Sequence, residues 1–463
     1  MNENNVTVTE TDSGFSPEEL LAFVSEKRYA EFARRIVRLN AVDVAEVFSY
    51  LPETYYPVAF RLLPKELAAE AFVEMDSDLQ KGIIDSFTDE ELSAILDELY
   101  IDDTVDIIEE MPALVVKRII RSSSAENRAI INKVLRYPKD TAGSMMTTEY
   151  VRFTPEMTVE RALSHIRRVA IDKETIYTCY VTDKERRLIG IVTAKELLIS
   201  ALDLTLDKIM ETSVISVFTG DDSESVARKL DKYGFLALPV VDAECRLVGI
   251  ITVDDAMDVI KEETEEDFAK MAAITPTETP YIKTSPFAIW KSRIPWLLLL
   301  MISATFSSTI LSGFESALPA VLILFVPMLM DTGGNSGGQA SVTVIRSISL
   351  GELQFKDIFK AILKELTVGA ACGATLGAVA FLKVMLIDGL IMQNEAVTLT
   401  VALAVSVTLA VTVIVAKLIG AILPLLAKRI GFDPAVMASP LITTVVDALS
   451  LVMYFYIARL FLY

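Results

Sequence analysis

The sequence has few of the residues that bind soft metal ions or cross-link a chain. Its 463 residues include three cysteines and one histidine. Cys179, Cys245 and Cys372 are far apart and form no CxxC pair, which argues against a disulfide framework and against a thiolate metal site. The single histidine, His165, argues against an imidazole zinc or copper centre. A metal ion would therefore be bound through oxygen atoms, and the soluble part of the chain is predicted to be cytosolic.

Basic residues are also scarce. The chain has 43 Lys and Arg against 63 Asp and Glu, and the deficit lies in residues 1–285, where 32 basic residues accompany 54 acidic ones. Such a surface repels phosphate backbones and anionic lipids, and it attracts divalent cations. Nucleic acid is therefore not expected as a partner, whereas cation sensing is a reasonable hypothesis.

The first residues lack the apolar run of a signal peptide. Residues 1–16 are polar and are predicted to form a disordered tail. A mean hydropathy of +0.43 nevertheless requires that part of the chain lies in lipid. Residues 1–285 read as soluble sequence, whereas residues 286–463 consist of long apolar runs. The chain therefore has a soluble half and a membrane half.

Residues 17 to about 135 show a helical pattern with an internal repeat. Short amphipathic runs are broken at Pro52, Pro64 and Pro112. The phrases VFSYL, AFVEM and ILDEL recur at a step of 24 residues. Two series of apolar positions follow this step: Leu51, Met75 and Leu99, and then Leu63, Phe87 and Met111. Stacked helical hairpins of this length share one apolar seam, so the pattern predicts a small α-solenoid.

A second repeat covers residues 144–262, where DKERRLIGIVTAKELL from Asp183 recurs as DAECRLVGIITVDDAM from Asp242. Each copy reads as a βαββα-like unit with two apolar strands around a polar turn. These motifs resemble a tandem pair of CBS domains, which implies a dimerising module that binds an adenine nucleotide such as ATP. Glu196 departs from the family's pattern at one of the two sites. The positions that often hold ribose are Thr193, Glu196, Thr252 and Asp255.

An acidic stretch, KEETEEDFAKMAAI from Lys261, joins the soluble half to the first apolar run. At helical spacing, Glu263, Glu266 and Asp267 lie on or near one face. A solvated linker helix is the simpler interpretation of such a charge run. The alternative is a lever-like connector between the two halves.

Five apolar stretches are long enough to cross a bilayer: 288–311, 317–345, 360–387, 397–425 and 436–460. The loops after the second and fourth stretches are basic, and those after the first and third are acidic. The positive-inside rule then places the N-terminal half in the cytosol and the C-terminus outside. The sequence predicts a multi-pass protein of the cell (inner) membrane.

Two of these stretches contain polar groups that lipid does not solvate. The second contains PMLMDTGGNSGGQAS, whose small residues suit close helix packing, but Asp331, Asn335 and Gln339 favour a pathway lined by protein or water. The fifth contains Asp447 near its middle, with no basic residue close in sequence. An unpaired intramembrane acid indicates function, and the alternative is a protonated Asp in a helix interface.

The motifs PMLMDTGGNSGGQ and DPAV…SPLITTVVDALS, following a helical repeat, a CBS pair and an acidic helix, resemble the MgtE family of magnesium transporters over residues 41–463. The resemblance implies a multidomain membrane protein with an all-α repeat domain, an α/β CBS pair, a connecting plug helix and five transmembrane helices. The expected segments are a tail (1–16), the helical domain (17–138), two CBS domains (139–205 and 206–262), the plug helix (263–285) and the transmembrane domain (286–463).

The same resemblance implies a homodimer whose second and fifth transmembrane helices line a shared Mg²⁺ pore. Asp447 falls on the family's pore aspartate, where one carboxylate from each subunit would attract a largely hydrated ion. Family members often carry Asn where this chain has Ser439. The expected pore-lining residues are Asn335, Gln339, Ser439 and Thr443.

The resemblance also implies regulatory Mg²⁺ sites in the soluble half. A bound cation would draw together acidic faces that otherwise repel one another, press the plug helix against the pore and close it. The matching carboxylates are Asp102 and Asp106 in the helical domain, Asp255 and Asp258 in the second CBS domain, and Glu263, Glu266 and Asp267 in the plug helix.

Three other functions fit the sequence less well. A secondary transporter could use Asp447 alternately from each side, but no second intramembrane acid is recognised that could couple a driving ion. A non-transporting sensor built on the CBS pair would leave Asp447 and GGNSGGQ unexplained. An enzyme is not expected, because no nucleophile and base pair, P-loop or zinc motif occurs.

Overall fold

The structure is a computed structural model that describes residues 17–277, 281–282, 284–315, 319–437 and 439–462. The predicted disordered tail, residues 1–16, lies outside this range. The chain divides into two compact units, Met1–Ile260 and Lys261–Tyr463. Each unit is described separately below.

From Pro17 onward, the described part of the first unit has ten short α-helices around one apolar core, followed by two sheets. They are α1 (Pro17–Ser25), α2 (Tyr29–Ile36), α3 (Ala41–Tyr50), α4 (Tyr56–Phe60), α5 (Lys65–Val73), α6 (Ser77–Ser86), α7 (Asp89–Leu96), α8 (Ile101–Glu110), α9 (Ala113–Ser122) and α10 (Ala125–Val134). Leu51, Phe87 and Met111 each come directly after a helix and are buried. Pro64 and Pro112 immediately precede α5 and α9. The predicted helical repeat is therefore confirmed.

Two three-stranded sheets follow, each with the order of its strands in the chain. The first copy contains β1 (Tyr150–Phe153), α11 (Val159–Val169), β2 (Thr175–Thr182), β3 (Leu188–Thr193) and α12 (Ala194–Ile199). The second contains β4 (Val217–Phe218), α13 (Ser223–Tyr233), β5 (Ala237–Val241), β6 (Leu247–Thr252) and α14 (Val253–Met271). In each sheet the first pair of strands is parallel and the second is antiparallel. The βαββα prediction is confirmed.

The two copies share one strand register. Val181 lies opposite Gly190, and Val240 lies opposite Gly249, in each case 59 residues further along the chain. A side chain at either glycine would collide with a methionine. A Cβ on Gly190 would lie 2.7 Å from a methionine sulfur, and one on Gly249 would lie 2.6 Å from another. The sequence repeat therefore reflects a repeat of backbone packing.

The second unit contains the membrane helices. They are α15 (Pro286–Glu315), α16 (Ala320–Ile323), α17 (Val326–Ser349), α18 (Ile358–Lys383), which continues as a π-helix (Val384–Ile391), α19 (Leu399–Arg429) and α20 (Ser439–Leu462). Among the described residues, four segments are long and apolar enough to span a bilayer: Pro286–Phe314, Phe355–Ile391, Leu399–Arg429 and Pro434–Leu462. With 24 residues, α17 is about 36 Å long, but its polar passage lowers its hydropathy. Helices occupy all five predicted stretches.

Glycines set the distance between α18 and α19. Gly369, Gly373 and Gly377 are spaced four residues apart and are buried. A Cβ on Gly373 would lie 2.6 Å from the carbonyl oxygen of Ala410, and one on Gly377 would lie 3.1 Å from that of Ser406. Small residues of this spacing let two membrane helices approach through their backbones.

Candidate ion pathway and acidic cluster

One face of α17 packs tightly through its glycines. A Cβ on Gly333 would lie 2.8 Å from a methyl group of Thr412 on α19 and 3.0 Å from one of Val446 on α20. A Cβ on Gly337 would lie 2.8 Å from the side chain of Ile442 on α20. Close helix packing, one of the two interpretations of this passage, is therefore present.

The opposite face of α17 is polar and uncovered. Asp331, Asn335 and Gln339 follow one another at a spacing of four residues, which places them on one face of the helix, and all three are exposed. Lipid cannot hydrogen-bond to such side chains, so a stripe of this kind requires water or another protein surface. The polar passage therefore combines helix packing on one side with a polar stripe (Asp331, Asn335 and Gln339) on the other.

Asp447 on α20 lies next to this stripe. Its Oδ1 atom is out of contact with solvent and has no hydrogen-bond partner in the described part of the chain. The charge of Asp331 acts on the Asp447 carboxylate, so the two acids lie within electrostatic reach of each other. No second intramembrane acid that could couple a driving ion was recognised from the sequence, and Asp331 is a second acid near Asp447. The sequence already indicated that Asp331 belongs to the stripe, because it precedes Asn335 by four residues and so lies on the same face of the helix.

The other two predicted pore residues also lie on α20. Thr443 is half-buried, and its methyl group would lie 2.8 Å from a Cβ placed on Gly334. Ser439 begins the helix, but its side chain lies outside the described residues. The structure thus puts Thr443 and Asp447 on the helix that packs against the glycine face of α17.

Seven carboxylates of the first unit act on one another and form what we call the acidic cluster. They are Asp102, Asp103 and Asp106 on α8, Asp254 and Asp255 on α14, Glu149 before β1 and Glu174 before β2. In the described part of the chain no ion pair includes any of them. Asp102 is only 5% exposed. Asp102 Oδ1 and Glu174 Oε2 are buried without a hydrogen-bond partner there.

Four carboxylates of the cluster have a pKa above the usual range. Burial, with the charge of Asp255, raises the pKa of Asp102 well above its usual value. The same two causes raise the pKa of Asp103 to about 7. Crowding by surrounding protein and the charge of Asp255 raise the pKa of Asp106 to about 8, although this side chain still reaches solvent. Burial and the charge of Asp103 raise the pKa of Glu174 to about 8.

Local structure explains why acids are tolerated there. Asp102 and Asp103 lie in the first turn of α8, and Asp254 and Asp255 lie in the first turn of α14. The N-terminus of a helix carries partial positive charge, which offsets part of the repulsion. The Thr252 hydroxyl also donates to Asp255 Oδ2 at 2.5 Å.

The residues of the cluster suit a hydrated divalent cation. Oxygen ligands are those that Mg²⁺ prefers, and the unpartnered oxygens of Asp102 and Glu174 could accept bonds from its water. Among the described residues no three His, Cys, Asp or Glu side chains converge closely enough to hold a bare ion. Mg²⁺ usually keeps several of its waters, so contact through water fits this spacing.

The remaining predicted regulatory acids all lie on α14. Asp258 is exposed on α14 and acts on Asp255. In the second unit, Glu266 accepts an ion pair from Lys270 at 2.8 Å. Asp267 accepts a hydrogen bond from the Ser349 hydroxyl at 2.9 Å, and Glu263 is half-exposed. Glu149 and Glu174, which the sequence analysis missed, lie with Asp102 instead.

The predicted nucleotide residues are engaged with each other. Thr193 and Glu196 form a capping box at the start of α12, in which the Thr193 amide donates to Glu196 Oε2 at 2.7 Å. Thr252 bonds to Asp255, which also belongs to the acidic cluster. A ribose would have to compete with these contacts.

Comparison with known proteins identifies the family of this chain. The chain is 36% identical to the magnesium transporter MgtE of Thermus thermophilus over 96% of its own length and 99% of that protein. It is 30% identical to the magnesium transporter MgtE of Bacillus subtilis over 96% of its length and 97% of the relative. The chain belongs to the MgtE family. The family model described as a divalent cation transporter matches residues 326–457.

The soluble half of this MgtE chain also matches. The MgtE intracellular N domain matches residues 39–140, and the CBS domain matches residues 142–203 and 206–262. The solved cytosolic domain of the Mg²⁺ channel MgtE in complex with ATP is 35% identical, with a TM-score of 0.50, and covers 53% of this chain and 100% of that one. The soluble part of a magnesium transporter is 31% identical, with a TM-score of 0.50, over 54% and 99% of the two chains.

Proposed function

We propose that this MgtE protein lets Mg²⁺ into the cell through its membrane helices, and that cytosolic Mg²⁺ closes the pathway by binding to the acidic cluster. The observation that carries the proposal is the unpaired Asp447 beside the polar stripe of α17, within the region that matches a divalent cation transporter. The relatives of similar length named as magnesium transporters support Mg²⁺ as the ion.

The pathway is proposed to form between two copies of the chain. The polar stripe of α17 is uncovered in one copy, and a homodimer would place it against a water-filled path rather than lipid. Two Asp447 carboxylates would then attract a Mg²⁺ ion that keeps most of its water, with Asn335, Gln339 and Thr443 bonding to that water and Ser439 near the cytosolic end. Selection would follow the size and charge of the hydrated ion.

Closure is proposed to begin at the acidic cluster. Without a cation, its carboxylates repel one another or remain protonated. Mg²⁺ would attract several carboxylates at once and offset the repulsion between them. The carboxylates drawn together would be those of Asp102, Asp106, Asp255 and Asp258. Because α14 runs without a break from Val253 to Met271, the change could be passed along one helix to Glu263, Glu266 and Asp267. The proposed orientation places the N-terminus in the cytoplasm and the C-terminus outside.

Nucleotide binding at the CBS pair is proposed as a second level of control. It is supported by the ATP complex of the related cytosolic domain, at 35% identity. ATP would have to displace the contacts of Thr193 with Glu196, or of Thr252 with Asp255. Equilibrium binding of ATP to the full-length protein, compared with Thr193→Ala and with Thr252→Ala, tests this directly, and equal affinity in all three would contradict it.

Mg²⁺ influx into proteoliposomes tests the main proposal. The parent is compared with Asp447→Asn and with Glu395→Gln, a control that removes a negative charge from an exposed loop position. We expect the parent and the control to conduct, and flux in Asp447→Asn to be lost. Flux should also fall as Mg²⁺ rises on the side of the soluble half. Equal flux in Asp447→Asn would show that the pathway does not depend on Asp447. No flux in the parent would favour a CBS-based sensor.

The nearness of Asp331 to Asp447 supports one other candidate, a cation-coupled secondary transporter, because two neighbouring acids could exchange a driving ion. The same proteoliposomes separate the two. A channel conducts Mg²⁺ down its own gradient when the pH and Na⁺ are equal on both sides, whereas a coupled transporter needs one of those gradients for net uptake.

A further inference from the structure

Asp331 lies on the polar stripe of α17, within electrostatic reach of Asp447. We propose that Asp331 is a cation-binding residue of the pathway and that it forms, with Asp447, a two-carboxylate subsite for a hydrated divalent cation. This inference rests on the proposed function, which supplies the pathway itself.

Helix packing places the two residues at the same level. On α17, Asp331 comes two residues before Gly333, whose missing Cβ leaves room for Val446. On α20, Asp447 directly follows Val446. Gly334, one turn after Asp331 on the same side of α17, leaves room for Thr443, which lies one turn before Asp447 on α20. The two helices run antiparallel at this contact, so the carboxylates lie at the same level, and the charge of Asp331 acts on Asp447.

The two acids differ from Asp357 and Asp388, which have lysine partners. Asp357 is 3.0 Å from Lys360 Nζ, and Asp388 is 2.8 Å from Lys383 Nζ. Within the described ranges, neither Asp331 nor Asp447 has such a partner, and Asp447 Oδ1 is buried without a hydrogen bond. Two unpaired carboxylates in a membrane segment need a counter-charge that the described chain does not supply.

The rest of the stripe shows which way the subsite faces. Asn335 and Gln339 continue from Asp331 along the uncovered face of α17. Their amides can donate and accept hydrogen bonds, so they can bind the water of a passing ion at successive turns. A lone acid at a helix surface would have no such continuation, whereas an acid that begins a polar stripe suits an ion path.

The expected ligand is a divalent cation that keeps its water. At the same distance, a carboxylate attracts a divalent cation about twice as strongly as a monovalent one. Contact through water does not require the carboxylate oxygens to converge, which suits Mg²⁺ better than an ion that sheds its shell easily. Asp331 would therefore raise the affinity of the pathway for Mg²⁺ and favour Mg²⁺ over Na⁺.

The test is the dependence of Mg²⁺ influx on external Mg²⁺ in proteoliposomes, for the full-length parent, Asp331→Asn, Asp331→Glu and the control Glu395→Gln. For Asp331→Asn we expect the half-saturating Mg²⁺ concentration to rise about three- to tenfold, because one unit charge is lost near the ion. Flux at saturating Mg²⁺ should persist, and Na⁺ should compete more strongly. Asp331→Glu and Glu395→Gln should stay within about twofold of the parent.

The outcomes separate this inference from the proposed function. Parent flux with an unchanged half-saturating concentration in Asp331→Asn would overturn the role of Asp331 and leave the proposed function standing. Asp331→Asn could show no flux at any Mg²⁺ concentration. In that case Asp331→Glu, which keeps the charge, tests whether the carboxylate is the group that matters. Recovery of flux in Asp331→Glu supports the subsite, and its failure overturns it. Absence of flux in the parent would reject the proposed function and, with it, the subsite.

Discussion

Lys270 Nζ lies 2.6 Å from Asp433 Oδ2, and this ion pair joins the end of α14 to the loop that leads into α20. The same ammonium group is 2.8 Å from Glu266 Oε1 on α14 itself. Asp433 uses its other oxygen to accept the amide of Ala435 at 2.8 Å. A displacement of the end of α14 would therefore act on the segment that precedes Asp447, so in the proposed closure Lys270 would be a positioning residue.

We expect Lys270→Met to weaken the block of influx by Mg²⁺ on the side of the soluble half. Both partners are partly buried, at 22% and 34% side-chain exposure, so the pair is worth about 1 kcal/mol, which corresponds to an increase of about fivefold in the half-blocking concentration. Influx without Mg²⁺ on that side should be unchanged.

The matched control for Lys270 is Lys261→Met, which removes a charge from an exposed position of the same helix. Both variants are measured in the proteoliposome assay over a series of internal Mg²⁺ concentrations. A half-blocking concentration in Lys270→Met that equals that of the control would show that the ion pair does not take part in closure.

The raised pKa values of the acidic cluster predict how stability depends on pH. Asp103 and Glu174 are partly buried and have folded-state pKa values of about 7 and 8, whereas the same groups titrate near 4 in an unfolded chain. Between these limits the folded state binds more protons than the unfolded state, so stability falls as pH rises. Each group that titrates contributes a slope of up to about 1.4 kcal/mol per pH unit.

Calorimetry of the metal-free protein between pH 6 and pH 8 measures this slope. We expect the unfolding temperature of the soluble half to fall across that range, and saturating Mg²⁺ to flatten the dependence because a bound cation keeps the carboxylates charged. Stability that rises with pH without metal would show that the cluster is already compensated by charges of its own.

Removal of one buried carboxylate should reduce Mg²⁺ binding by the soluble half. Asp102 Oδ1 is buried without a partner, so Asp102→Asn takes away a charged acceptor without a change in volume. We expect the Mg²⁺ concentration that gives half of the thermal stabilisation to rise about tenfold, since a hydrogen bond to a charged group is worth roughly 1.5–3 kcal/mol. Asp203→Asn, at an exposed position, is the control. Equal responses of the two variants would remove Asp102 from the Mg²⁺ site.

The sequence predicted the two repeated parts of the fold well. The step of 24 residues marked the ends of helices, because the residue that follows each helix must turn the chain back into a shared core. The step of 59 residues preserved strand register as well, since Gly190 and Gly249 face the same kind of close contact. Local patterns of this kind carry information about packing because every repeat meets a copy of itself.

Contacts between distant segments were predicted less well. The position of Glu149 and Glu174 beside Asp102 depends on how the helical domain packs on the first CBS sheet, and no periodicity in the sequence records it. Asp331 was visible in the second apolar stretch, but its nearness to Asp447 follows only from the glycine contacts between α17 and α20. Of these two acids, the resemblance to the family pointed only to Asp447.

The close contact between α18 and α19 yields a prediction on stability. A Cβ on Gly373 would lie 2.6 Å from the carbonyl oxygen of Ala410, which is backbone and cannot rotate away. Gly373→Ala therefore forces the two helices apart, and we expect a loss of about 1–3 kcal/mol of stability. Gly313→Ala, with no atom within 4 Å of its added Cβ, should match the parent. Thermal unfolding in detergent compares the two. Gly373→Ala as stable as Gly313→Ala would mean that α18 and α19 are farther apart in the membrane than the glycine contacts imply.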